Sequence, residues 1–157
     1  MKSKISFSRF STILTVTLNT VLLIGCILSF DEKPMFYPIL SIFVILFVAG
    51  LQYAPLSIKA DSRYITIASA LRSHKISIGN VADVELFQPT MGAYRILASG
   101  GYMGYWGIFK EGDIGRYAAY YGKASDCFIV RMTNGDKYVL GCDSPSAMVD
   151  YIKSQIK

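Results

Sequence analysis

The stretch that decides the architecture is TILTVTLNTVLLIGCILSF at residues 12–30, followed by DEKPM at 31–35 and FYPILSIFVILFVAGLQY at 36–53. Neither apolar run contains a charged residue. Each is close to the ~20 residues a helix needs to cross a ~30 Å hydrocarbon core. The five residues between them reach at most ~18 Å when extended, so they can only turn the chain back on itself. The pattern predicts a transmembrane helical hairpin with spans at 12–30 and 36–54 and an external turn at 31–35. Residues 1–11 precede it, and residues 55–157 form one soluble domain.

Positive charge orients the hairpin. Lys2, Lys4 and Arg9 precede the first span, and Lys59, Arg63, Arg72 and Lys75 follow the second, while the turn sets Lys33 against Asp31 and Glu32. Lysine and arginine stay on the cytoplasmic side of a membrane, so both termini are expected there. An alternative reads residues 2–9 as the basic start of a signal peptide, with Leu23-Ile24-Gly25-Cys26 resembling a lipoprotein cleavage box that lipidates Cys26. Ile27-Leu28 then continue the apolar run where polar residues would be expected. Under either reading the second run carries the chain back inward.

Of the 157 residues 52% are hydrophobic, and the excess lies in the hairpin. From Leu56 onward twelve Lys/Arg face nine Asp/Glu with the signs interspersed. Nucleic-acid binders concentrate their basic residues on one face, so no nucleic-acid partner is expected. Cys26, Cys127 and Cys142 give no disulfide framework and read as buried, inert thiols.

Within the first span Thr12, Thr15, Asn19, Leu22, Cys26 and Ser29 recur at spacings of three and four. Small and polar residues in such a seam let membrane helices approach and bond, so it is expected to face Ser41, Ile45, Val48 and Gln52 of the second span. Asn19 is expected to bond a neighbouring helix, because two helices cannot enclose a pore. Tyr37 and Tyr53 bracket the second span as interfacial anchors.

After Pro55 the period changes to two. Strands are predicted at 57–60, 64–67, 75–78, 81–87, 114–121, 127–133 and 137–142, the last two joined by the Asn134-Gly135 hairpin turn. Asp143-Ser144-Pro145 then offers a helix start, with Met148, Val149, Ile152 and Ile156 on one face. About seven antiparallel strands and one closing helix are the layout of a pleckstrin-homology-type barrel, in which the helix plugs an open end.

Three stretches carry a resemblance. They are Gly100-Gly101-Tyr102-Met103-Gly104-Tyr105-Trp106-Gly107-Ile108-Phe109 with Ile114-Gly115-Arg116, the hairpin Asn134-Gly135-Asp136-Lys137-Tyr138-Val139, and Asp143-Ser144-Pro145. On these the soluble part resembles the bacterial PH-domain (pleckstrin-homology-like) family, whose similar members often carry two N-terminal membrane helices. The resemblance implies an all-β barrel capped by a C-terminal helix on a hairpin anchored in the bacterial inner membrane. It implies no catalytic residues.

The glycine-rich 100–107 stretch is not followed by a helix or a Lys-Ser/Thr pair, so it is not read as a nucleotide loop. Its glycines are expected to allow turns and strand bends. Tyr102, Tyr105, Trp106 and Arg116 are the candidates for contact with a protein partner, either another membrane subunit or a cytoplasmic protein. Lys59, Arg63, Arg72 and Lys75 lie near the place where eukaryotic PH domains hold phosphoinositides and are the candidates for lipid headgroups. His74 is expected in a solvated turn. Asp83 with Glu85 and Glu111 with Asp113 read as surface pairs. No catalytic triad, metal cluster or cofactor motif is expected. The expected function is a non-catalytic, membrane-anchored binding module. Sensing of anionic lipid, or service as an accessory subunit of a membrane enzyme or transporter, stands as the alternative.

Overall fold

The computed structural model describes residues 1–90, 92–112 and 114–156. Asp113, read above as one of a carboxylate pair, lies outside them. The two apolar runs form α1 at Arg9–Leu28 and α2 at Lys33–Tyr53. α1 starts ahead of its apolar run because Ser8 caps it, its Oγ accepting the Ser11 N–H at 3.1 Å. Pro34 lies in the first turn of α2, where its missing N–H costs nothing. Among the residues of the two spans only 11% and 6% are buried. A core helix of a soluble protein would be mostly buried. These helices are long and apolar enough to cross a membrane, and they stand bare.

The rest is β-rich. Among the described residues ten strands form two sheets and do not close into a barrel. The first sheet contains β1 (Lys2–Lys4), β2 (Ser57–Ala60), β3 (Tyr64–Ala68) and β4 (Ser73–Ser77), antiparallel and in chain order. The second contains β5 (Val81–Leu86), β6 (Tyr94–Gly101), β7 (Gly104–Glu111), β8 (Gly115–Tyr121), β9 (Cys127–Met132) and β10 (Lys137–Gly141). Its order is β5-β9-β10-β8-β7-β6.

The expected all-antiparallel barrel of about seven strands is thus corrected in two ways. β10 folds back from the Asn134-Gly135 turn into the gap between β9 and β8, where it runs parallel to β8. The glycine-rich stretch, read as turns and bends, is a long β6–β7 hairpin whose bends are glycines inside the strands, with positive φ at Gly101, Gly104 and Gly107. The missing side chains hid the alternation that marks a strand.

α3 (Pro145–Gln155) packs on β2, β5 and β9 and so touches both sheets. Met148, Val149 and Ile152 are buried, as their spacing predicts. They join Ile58, Ile65, Ile67, Val84, Phe128, Val130 and Leu140 in the main core. A smaller cluster on the other face of the second sheet holds Phe109, Tyr117, Tyr121, Cys127, Ile129 and Val139. Residues of β9 alternate between the two clusters, so this strand is buried on both faces.

Candidate functional site

The segment ahead of the hairpin is part of the β-domain. Lys2 pairs with Lys59, Ser3 with Ile58 and Lys4 with Ser57. The Ile5 N–H then donates to Leu56 O at 3.0 Å, the Ser6 N–H to Asp143 Oδ1 at 3.0 Å, and the Ser8 N–H to Gly122 O at 3.0 Å. The Asp143 carboxylate therefore holds the entry to α1, and Ser144 takes the position before α3 without a side-chain bond. Both ends of the hairpin leave from the same β-domain, so both lie on the same side of anything the helices cross.

A second attachment sits across the hairpin base. Ser11, Thr15 and Asn19 lie four residues apart on one stripe of α1, spanning about 12 Å of its axis. The Ser11 hydroxyl donates to Gly101 O at 2.6 Å and accepts the Gly104 N–H at 2.9 Å. Thr15 Oγ1 accepts the Met103 N–H at 2.8 Å, and the Tyr102 hydroxyl donates to Asn19 Oδ1 at 3.1 Å. Within the turn, Ser99 Oγ and Trp106 Nε1 both donate to Tyr102 O, at 2.7 and 3.1 Å. The backbone polar groups of the turn thus find partners in the protein rather than in water. That is what apolar surroundings demand. From α2, Gly50 supplies the room that Met103 fills, since a side-chain carbon there would strike the Met103 sulfur.

The expected helix–helix seam is corrected accordingly. Thr15 and Asn19 face the β6–β7 turn, Thr12 bonds its own helix at Ser8 O, and Ser41 bonds Tyr37 O on an exposed face. Ile45 and Val48 are exposed. Cys26 and Ser29 are buried, and a side-chain carbon at Gly25 would come into ordinary contact with Ile39 of the second helix.

The four partner-contact candidates do not form one surface. Tyr102 is buried on α1, and Trp106 stacks on Tyr53 of α2 with ring centroids 5.4 Å apart. Tyr105 stacks on Tyr121 at 4.9 Å. Arg116 is exposed and pairs in register with Lys110, at the end of β7–β8 opposite the attachment. The lipid candidates share the first sheet but no pocket. Lys2, Lys59, Thr66 and Lys75 are successive cross-strand neighbours, which places three amines on one face. Arg63 lies in the β2–β3 turn. Arg72 lies at the other end of β3, in the turn where the Leu71 N–H bonds Leu51 O of α2. The contribution of Lys2 had no signal in the sequence, because a strand of three residues shows no period.

Two titratable groups differ from expectation. His74 is not in a solvated turn but in β4, half-buried, with its ring near those of Tyr120 at 6.0 Å and Tyr138 at 5.9 Å. Burial, and secondly the Arg72 charge, push its pKa down. Glu111 is buried rather than at the surface, accepting from the Thr90 N–H at 3.0 Å, the Thr90 hydroxyl at 2.5 Å and the Tyr117 hydroxyl at 3.2 Å. It ties the loop after β5 to the end of β7. Asp83 and Glu85 both pair with Arg131 at the surface. The three cysteines are free and buried. Among the described residues no group of three or more His, Cys, Asp or Glu is placed to hold a metal. No protein family, characterised protein or solved structure matches the chain.

Proposed function

We propose that this chain is an integral membrane protein of the bacterial inner membrane whose PH-like domain is a non-catalytic binding module. It docks a protein partner or a further membrane subunit at the cytoplasmic face. The observation that carries the reading is the double attachment of a bare apolar hairpin, by β1 on one side and by the β6–β7 turn on the other. A domain held in this way keeps one end toward the bilayer and offers the other to the aqueous side in a fixed orientation. The cytoplasmic assignment rests on the positive residues flanking the spans and the acidic pair in the turn between them. PH-likeness rests on the layout of strands closed by a C-terminal helix.

The docking surface in this reading is the end opposite the attachment. There a cleft of about 390 Å³ is lined by Ile108, Arg116, Asp136, Lys137 and Tyr138, mixing charge with apolar surface as transient interfaces do. The test is crosslinking of the full-length protein in native membranes, followed by purification and mass spectrometry. A stoichiometric protein that is lost on Arg116→Glu supports the reading. Capture unaffected by that change, or recovery of the chain alone, removes it. The row of Lys2, Lys59 and Lys75 favours a second reading, sensing of anionic headgroups, in which Lys59→Glu with Lys75→Glu would reduce the phosphatidylglycerol that co-purifies with the full-length protein and leave phosphatidylcholine unchanged.

A further inference from the structure

β6 is an outer strand of the second sheet and lies beside the hairpin. A groove of about 430 Å³ runs between it and the helices, bordered by Leu14 of α1, Leu46 of α2, Leu97 of β6 and Trp106. Arg95 shares the border. Its guanidinium lies over Gly100, where a side-chain carbon would collide with it. Among the described residues no carboxylate pairs with Arg95.

Height along the hairpin identifies what fits. Trp106 stacks on Tyr53, the last residue of α2, and amphipathic rings gather at the level of lipid headgroups. Leu14 and Leu46 lie five and seven residues inside their helices, about 8 and 10 Å along the axes. The groove therefore leads from an unpaired guanidinium at headgroup level to carbon surface at chain level. Beside its helix border, Ile13 of α1 and Ile45 and Phe47 of α2 are exposed. Guanidinium groups favour phosphate oxygens, which they bind with two parallel hydrogen bonds.

We propose that Arg95 and this groove hold one membrane phospholipid, with its phosphate on the guanidinium and an acyl chain along Leu97, Leu14 and Leu46. The site rests on the membrane reading given above. Gly100 is then a positioning residue, since it leaves the space in which the guanidinium lies.

The test begins with alkaline carbonate extraction of membranes containing the full-length protein. Release into the aqueous phase removes the membrane reading and this site together. Protein that stays in the membrane is transferred to phosphatidylcholine nanodiscs containing phosphatidylglycerol, and retained phospholipid is counted by native mass spectrometry. Arg95→Gln should reduce retained lipid roughly tenfold, the loss of one charge-assisted contact. Gly100→Ala, which keeps the charge but displaces it, should reduce retention in the same direction. Lys110→Gln, an exposed cation on β7, should leave retention unchanged. Each variant is first checked for an unchanged unfolding midpoint, and Gly100→Ala decides if Arg95→Gln fails that check. Full retention by both variants, or an equal loss with Lys110→Gln, overturns the site while leaving the membrane reading in place. Displacement of the lipid by glycerol phosphate, which has no acyl chain, shows that the groove plays no part and likewise overturns it.

Discussion

Ser11→Ala removes a single oxygen that serves two backbone groups, the Gly101 carbonyl at 2.6 Å and the Gly104 N–H at 2.9 Å. Ser11 is 1% exposed, and both glycines are buried, so water cannot replace the hydroxyl without opening the contact. Leaving a buried polar group unpaired costs about 1–3 kcal/mol. Two such groups set the loss at about 2–6 kcal/mol, a large part of the about 5–15 kcal/mol that holds a typical domain. Ser41→Ala is the matched control. Its hydroxyl bonds Tyr37 O of its own helix on an exposed face, and its removal should change stability by less than about 0.5 kcal/mol. The assay is thermal unfolding of the full-length protein in detergent, with hydrogen exchange read across residues 101–106. Each kcal/mol should lower the midpoint by about 2–4 °C for a chain of this size. Ser11→Ala should therefore unfold well below the unmodified protein and lose protection at the Met103 and Gly104 amides. An unchanged midpoint with protection intact would mean that α1 does not hold the β6–β7 turn.

Gly107→Ala should be severe, because φ is 114° there and the new carbon meets Leu97 O and the Ala98 backbone, whereas Gly112→Ala meets nothing within 4 Å. Strain and crowding together put the first at about 2–6 kcal/mol, and equal unfolding midpoints for the two variants would count against the β6–β7 register. The His74 pKa is pushed down from 6.5, so the unfolded chain takes up its proton first as pH falls. Stability should therefore drop as pH is lowered through about 6.5, and His74→Phe should flatten that part of the profile. A profile identical in both proteins would show that the histidine is solvated. Burial pushes the Cys127 and Cys142 thiols up, so both should resist alkylation at mildly basic pH until the chain unfolds. Modification of either in the folded protein at the rate of a free thiol would contradict its burial.

The sequence on its own determined the elements with strong periodic or apolar signals. Two uncharged runs fix the hairpin, because length and composition alone decide whether a helix can span hydrocarbon. Alternation fixes β2, β3 and β4, Asn134-Gly135 fixes the β9–β10 turn, and the spacing of Met148, Val149 and Ile152 fixes the buried face of α3. Only the tertiary structure decided the rest. β1 is too short to show a period, and β6–β7 substitutes glycine where an alternating side chain would announce a strand. The parallel pairing of β10 with β8 is a matter of which gap the strand enters, and that depends on long-range packing rather than local preference. The same holds for Ser11, Thr15 and Asn19. Their spacing marks one stripe of α1, but a stripe does not name what lies against it. The fold set the β6–β7 turn there, where the Ser11 and Thr15 hydroxyls pair with its backbone groups and the Asn19 amide oxygen accepts the Tyr102 hydroxyl.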